Sequence, residues 1–290
     1  MMHRSIPASR AFRLIGGLLM YVATPGHVLA EPTPAAVTAF NSYVRAVESR
    51  LAQQHQSLAA FLAPVAPVQQ SDVRLRQGDI IIEQRTPSGG LVLPGALLHH
   101  WHATAFVPGA TAADFARLLK DVDAYPTDFS PQVLEARILT QNGDHLQTWM
   151  RVRQHHVITV AMDTTYDVTF GRLDAQHGYS ISRSSRISEL DSEGHEIDAS
   201  QDHGFLWRQN TYWSYEERDG GLYIQLESVS LTRSIPTGLG WVVGPFVESI
   251  PRQSLEFTLR SACTALRKMT DQAAKNPRSE QTKKKERPQP

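Results

Sequence analysis

A helical pattern of apolar residues near the end of the chain restricts its fold more than any other feature. Between about residues 245 and 269, apolar side chains recur at spacings of four, three, four and three. This spacing places them on one face of an α-helix. They are Leu255, Leu259, Ala262, Leu266 and Met269. The preceding residues, from about 132 to 234, have the pattern of β-strands. A sheet that curves around one long helix encloses a space, so the pattern predicts a protein that can hold an apolar molecule.

The predicted strands are separated by short turns, which indicates an antiparallel meander. Asn142-Gly143 and Asp219-Gly220-Gly221 are strong hairpin signals. In the strand at 156–170, apolar and polar residues alternate, which predicts that one side of the sheet is buried and the other is solvated. The expected fold class is α+β, a curved antiparallel sheet around a long C-terminal helix. The predicted strands cover residues 97–107, 132–140, 145–154, 156–170, 178–190, 204–217 and 221–233.

A second helical stripe precedes the sheet, in residues 34–62. Its narrow apolar face indicates an amphipathic helix that docks on the main body, and it is too short for a convincing coiled-coil dimer. Thr111 and Asp114 are placed to form a capping box on another helix, which is expected to run to about Val122.

A monomer is expected. The predicted division is a signal peptide at 1–30, an N-terminal helix and linker at 31–70, the sheet-and-helix domain at 71–270, and a disordered basic tail at 271–290.

The first 30 residues have the pattern of a secretory signal peptide. Arg4, Arg10 and Arg13 precede a short apolar run at 14–23, which is too short to span a bilayer. Small residues before a cleavage point preceding Glu31 complete the pattern. The sequence therefore predicts export, to the periplasm or to the outside of the cell.

The neutral overall charge hides an uneven distribution. Of 29 basic and 29 acidic residues, the segments 1–30 and 271–290 together hold nine basic and three acidic ones. The remaining 20 basic and 26 acidic residues give the body a charge near −6. This charge argues against a nucleic-acid partner, which requires clustered positive charge. The basic cluster at 283–287 could contact an anionic membrane surface, although such tails are more often only solvated.

Three segments resemble START-like (SRPBCC) domains of the polyketide cyclase-like type. They are WHATAFVPG at 101–109, VDAYPTDFSPQV at 122–133, and IPRQSL at 250–255, where the last helix is expected. The resemblance covers roughly residues 97–270 and implies a helix-grip fold with an apolar cavity, but no particular ligand. Two further segments, at 202–208 and 235–241, are similar to exported bacterial members of that superfamily.

The sequence shows no convincing catalytic set, metal site or cofactor motif. His99, His100 and His102 flank Trp101, and the last two would point the same way from a strand. No acid or cysteine nearby completes a metal site there, so polar histidines at the rim of a strand are the favoured interpretation. No Gly-x-Ser-x-Gly motif or phosphate-binding glycine motif occurs.

The aromatic segment at 205–215 leaves its orientation open. Either Gln209 and Thr211 or Arg208 and Asn210 face the interior. A buried guanidinium is costly without a partner, so an inward Arg208 would need an anionic ligand or an acid, for which Asp163 and Glu227 are the candidates. Structural pairing of Arg208 is the favoured interpretation.

These observations favour a binding protein for a hydrophobic small molecule such as a lipid, quinone or polyketide. A cyclase- or hydratase-like enzyme that uses polar residues in the same cavity is one alternative. A structural module whose own side chains fill the interior is another. The predicted cavity wall consists of Ile158, Val160, Met162, Tyr166, Trp207, Arg208, Asn210, Leu255, Leu259 and Ala262.

Overall fold

A computed structural model describes residues 31–155, 159–198, 201–234 and 240–275, without the side chains of residue 155 and residues 240–248. The predicted signal peptide and residues 276–290 of the predicted tail lie outside the described residues. The helices are α1 (Pro34–Gln54), α2 (Val68–Arg76), α3 (Ala112–Lys120), α4 (Tyr125–Asp128) and α5 (Gly240–Lys275). The strands are β1 (Ile81–Gln84), β2 (Leu91–Leu93), β3 (Ala96–Pro108), β4 (Val133–Asn142), β5 (His145–His155), β6 (Thr159–Arg172), β7 (His177–Leu190), β8 (Arg208–Arg218) and β9 (Gly221–Arg233).

The strands form one antiparallel sheet in the order β1-β3-β9-β8-β7-β6-β5-β4, and β2 also pairs with β3. The long hairpins from β4 to β9 follow the chain, because each turn returns the next strand beside the last. The strand β3 pairs with β9 along its whole length, from Ala96 opposite Arg233 to Pro108 opposite Gly221. This sheet and α5 together form the helix-grip fold that the resemblance implied, so the predicted fold class is confirmed.

Helix α5 packs on the inner face of the sheet through the predicted stripe. Leu255, Leu259, Ala262 and Leu266 are buried, and Met269 is partly buried against the same core. The helix is longer than predicted at both ends and continues through residues 271–275, which were assigned to a disordered tail. No helix in the described part of the chain has the length and hydropathy of a membrane span. The sheet residues that meet this stripe are Trp101, Ala103 and Ala105 of β3 and Leu222, Ile224 and Leu226 of β9.

The segment between β3 and β4 closes one end of the fold. The capping box of Thr111 and Asp114 is present and starts α3, as predicted. Residues 122–131 contain a 3₁₀ turn (Val122–Ala124) and the short helix α4. The aromatic rings of Tyr125 and Phe129 pack edge to face, and both side chains belong to the main core.

Helix α1 docks on the outer face of the sheet, which confirms the expected role of the N-terminal stripe. Its buried residues Phe40, Val44, Val47 and Leu51 share a cluster with the outer side of β3, β8 and β9. Helix α2, which was not predicted, adds Leu75 against Phe106 and Tyr223. The expectation of one solvated face is therefore wrong for β3, β8 and β9, because helices cover both of their sides. The sheet residues under α1 are Ala96, Leu98, Tyr212, Val229 and Leu231.

The contact between α5 and the sheet predicts a large cost for shortening its central side chain. Leu259 is fully buried, so Leu259→Ala should lower the free energy of unfolding by about 2–5 kcal/mol. The matched variant Leu139→Ala, at a side chain that is 44% exposed, should cost less than about 1 kcal/mol. Urea unfolding followed by circular dichroism measures both. Equal costs for the two variants would contradict the packing described here.

Candidate functional site

A cavity of about 180 Å³ lies between the inner face of the sheet and α5. It occupies the half of the sheet that runs from β4 to β8, beside the part that α5 covers directly. Leu119, Val122 and the ring of Tyr125 close it from the α3–α4 side. From α5, it is lined by Ser254, Phe257 and Thr258. The cavity exists because one helix is too narrow to cover the whole width of the curved sheet.

The floor of the cavity is formed by inward side chains of five strands. Most of the wall is apolar, which suits a hydrophobic occupant. The apolar sheet residues are Leu146, Met150, Val152, Met162, Val168 and Phe170, and Val133, Leu206 and Trp213 extend the wall at its edges.

The polar part of the wall consists of hydroxyl and amide side chains. Tyr166 donates a hydrogen bond from its Oη to Oε1 of Gln209 at 2.9 Å. Gln154 donates through Nε2 to Oγ of Ser254 at 3.0 Å, which links β5 to α5. Burial raises the pKa of Tyr166 far above its usual range, so its hydroxyl stays neutral. The other polar lining residues of the sheet are Thr148, Thr164, Ser180, Ser182 and Thr211.

Two residues of β6 line the cavity as predicted. Met162 and Tyr166 are both buried and face the cavity. Val160 is partly buried but is not among the lining residues. Ile158 lies outside the described residues.

The predicted wall residues of α5 do not line the cavity. Leu255, Leu259 and Ala262 instead pack into the core against β3 and β9. The most apolar stripe of the helix packs closest to the sheet, because this buries the most apolar surface. The neighbouring face of the helix therefore lines the cavity. That face carries Ser254, Phe257 and Thr258, which the stripe pattern did not single out.

The predicted wall residues at the start of β8, Trp207, Arg208 and Asn210, do not line the cavity either. Gln209, Thr211 and Trp213 line the cavity, so the alternate residues of β8 face outward. Asn210 is buried on the outer side, where its Nδ2 donates to Oη of Tyr212 at 3.3 Å. Trp207 belongs to the cluster under α1. The packing of Tyr212 beneath α1 sets this orientation, which the sequence left open.

Arg208 has neither of the acid partners considered for it. Its Nη1 donates to the backbone oxygen of Trp207 at 2.8 Å, and it does not line the cavity. Asp163 accepts two hydrogen bonds from Arg151, at 2.8 and 2.9 Å. The other candidate, Glu227, is bound by Arg50 of α1.

His100 of β3 takes part in a polar network beneath α1 rather than in the cavity. Nε2 of His100 lies 2.6 Å from Oε1 of Glu227. Nδ1 of the same histidine lies 2.8 Å from Oη of Tyr43. Arg50 of α1 also binds Glu227. The network ties α1 to β3 and β9. No group of three or more potential metal ligands is found among the described residues.

The other two histidines of this segment have different surroundings. Nδ1 of His102 lies 3.2 Å from Oε2 of Glu83 on β1. His99 faces the opposite side of β3 and is almost fully buried. Burial lowers the pKa of His99 to about 4, so it is neutral at physiological pH.

Comparisons with known proteins find structural similarity at low sequence identity. No protein-family model and no curated protein matches the sequence. The chain is similar in structure to human STARD10, with 9% identity over 74% of this chain and 84% of that one and a TM-score of 0.43. It is similar to the Zhui aromatase/cyclase from Streptomyces sp. R1128, with 15% identity over 61% and 96% of the two chains and a TM-score of 0.42. A STAR-related lipid transfer protein from Xanthomonas axonopodis has 15% identity over 64% and 98%, with a TM-score of 0.40.

The network beneath α1 predicts a stability term that depends on pH. Burial alone would raise the pKa of Glu227, but the hydrogen bond from His100 and the nearby charges of His100, Arg50 and His102 outweigh it, and the pKa is lowered. A carboxylate with a lowered folded-state pKa adds stability above its unfolded pKa of about 4.3, and this stability is lost as the pH falls through the folded pKa.

We expect Glu227→Gln to lower the free energy of unfolding by about 1.5–3 kcal/mol at pH 7, because a buried charged acceptor is lost. The difference from the unmodified protein should shrink as the pH falls below about 4. Denaturant unfolding at several pH values measures this. Glu193→Gln, at a side chain that is 79% exposed, is the control and should change little. A loss that is constant from pH 7 to pH 3 would show that the carboxylate charge is not the cause.

Proposed function

We propose that this protein binds a hydrophobic small molecule, of the lipid, quinone or polyketide class, in the cavity beside α5. The observation that carries the proposal is a hollow with mainly apolar walls and a few convergent polar groups, the usual form of a small-molecule site. Each CH₂ group that a ligand transfers from water into such a space contributes roughly 0.8 kcal/mol.

The lining supports binding more than catalysis. A cyclase- or hydratase-like reaction needs acid or base groups that exchange protons near neutral pH. Among the described lining residues, the ionisable side chains are Tyr125 and Tyr166, and burial raises the pKa of both. Oη of Tyr125 also donates to the backbone oxygen of Leu119 at 2.7 Å. A structural module without ligand is supported less, because its own side chains would have to fill the space.

The cavity predicts saturable binding of a neutral hydrocarbon probe. Pyrene should bind with increased fluorescence, and solvent extraction of freshly purified protein followed by mass spectrometry should release an apolar compound. Met162→Trp should weaken pyrene binding at least about tenfold, because the larger side chain occupies the hollow.

Leu139→Trp places the same residue on an exposed position of β4 and is the matched control. Circular dichroism and the Tm establish that both variants are folded. The proposal fails if the unmodified protein binds no pyrene and releases no apolar compound, or if both variants bind pyrene as the unmodified protein does.

We further propose that the chain is exported and acts as a monomer in the periplasm or outside the cell. The support is the charged and apolar pattern of residues 1–30. The basic cluster at 283–287 gives the exported protein a means of contacting an anionic membrane surface.

Expression of the full chain in a bacterial host, with cell fractionation and N-terminal sequencing, tests the export. We expect a processed form that begins at Glu31 in the periplasmic or extracellular fraction. An unprocessed chain confined to the cytoplasm would contradict this proposal and would leave the binding proposal standing.

A further inference from the structure

Several hydroxyl groups on the floor of the cavity have no hydrogen-bond partner within the described protein. Thr148 and Ser180 are only 3% and 2% exposed, yet neither side chain bonds to another described group. Ser182 and Thr211 line the same cavity and likewise have no side-chain bond among the described residues. A hydroxyl that lines a cavity and has no bond to the protein can donate a hydrogen bond to, or accept one from, an atom inside the cavity. These four hydroxyls are therefore available to a bound molecule.

The register of the strands brings three of these groups together. Ser182 of β7 lies directly opposite Thr211 of β8, and Ser180 lies two residues further along β7, on the same face. Side chains directly opposite each other in an antiparallel pair have Cβ atoms about 4.5–5.5 Å apart. An oxygen atom of a ligand can thus reach two of these hydroxyls at once. We call Ser180, Ser182 and Thr211 the hydroxyl cluster.

A second polar position lies across the apolar floor from this cluster. Thr148 of β5 is directly opposite Tyr166 of β6. The side chain of Val168, which pairs with Ser182, lies between Thr148 and the hydroxyl cluster. The hydroxyl of Thr148 is therefore separated from the hydroxyl cluster by an apolar side chain.

Two arginines of the neighbouring strands, Arg183 and Arg151, face away from the cavity and are paired with acids. Arg183 of β7 donates two hydrogen bonds to Glu48 of α1, at 2.7 and 2.9 Å. Arg151 is bound to Asp163 on the outer face. Every described lining residue is uncharged at neutral pH. A carboxylate or phosphate in the hollow would lose its hydration and meet only neutral donors, which is unfavourable.

We propose that the cavity selects a neutral apolar molecule that carries a hydroxyl or carbonyl oxygen, and that this oxygen binds the hydroxyl cluster. This inference rests on the proposed function and specifies its ligand. Anionic amphiphiles, such as fatty-acid carboxylates, are discriminated against because no cation lies within the described lining. Hydroxyl groups both donate and accept, so the cluster accommodates either an alcohol or a ketone.

A matched pair of competitors tests the preference. At pH 8, 1-dodecanol and dodecanoate have the same chain but differ in charge. We expect the alcohol to displace bound pyrene at a concentration at least about tenfold lower than the carboxylate does. Equal or tighter binding of the carboxylate would overturn the inference.

The double variant Ser182→Ala/Thr211→Val tests the assigned residues. It should weaken 1-dodecanol about tenfold, because two hydrogen bonds are lost, and leave pyrene affinity within about twofold, since pyrene forms none. Thr165→Val, on the outward-facing position of β6, is the matched control and should change neither. The single variant Ser182→Ala provides a milder change should the double variant be unfolded, as judged from its Tm.

The outcomes separate the two proposals. The inference is wrong and the proposed function stands if pyrene binds but 1-dodecanol binds no more tightly than dodecanoate. The same holds if the variants bind 1-dodecanol as tightly as the unmodified protein does. If neither pyrene nor the alcohol binds, the proposed function fails and the inference fails with it.

Discussion

The burial of the apolar stripe of α5 against β3 and β9 is the contact on which the rest of the structure depends. It places Leu259 and Leu266 in the centre of the core and fixes the helix on one side of the sheet. The remaining strands continue beyond the width that one helix can cover. The hydrophobic contact that stabilises the fold therefore also creates the uncovered space beside it. The cavity is a consequence of the main core rather than a separate feature.

The opposite face of the sheet has an equally definite organisation. Helix α1 covers the outer side of the same strands with an apolar stripe, and the buried Glu227 adds an ionic contact with Arg50 of that helix. Side chains on β8 that point outward are thereby committed to α1, which leaves Gln209, Thr211 and Trp213 for the cavity. The additional helix thus fixes which residues of β8 can meet a ligand, although it lies on the far side of the sheet.

The parts of the fold that depend on local periodicity were predictable from the sequence. The stripe of α5, the docking face of α1 and the capping box at Thr111 all follow from spacing within one segment. Helix α2 was missed because its sequence is mostly polar and follows a proline-rich stretch. Its stability comes from Leu75, whose partners Phe106 and Tyr223 are distant in the chain.

The site was less predictable, because it depends on which of two faces each element presents. Strict alternation in β8 is consistent with either orientation, and only the packing of Tyr212 under α1 decides between them. In α5, the most apolar residues bind the sheet most closely, so the cavity is lined by the flank with Ser254 and Phe257. Met162 and Tyr166 were identified because the alternation in β6 is the clearest in the chain.

The proposed ligand binds between the sheet and α5, beside the core and not on the surface. The most direct test is an NMR experiment with methyl-labelled methionine and 1-dodecanol. We expect intermolecular nuclear Overhauser effects from the alkyl chain to the methyl groups of Met150 and Met162, which line the cavity. Met269, which packs against the core and does not line the cavity, should show none. Contacts to Met269 alone, or no contacts to Met150 and Met162 under saturating ligand, would contradict the account.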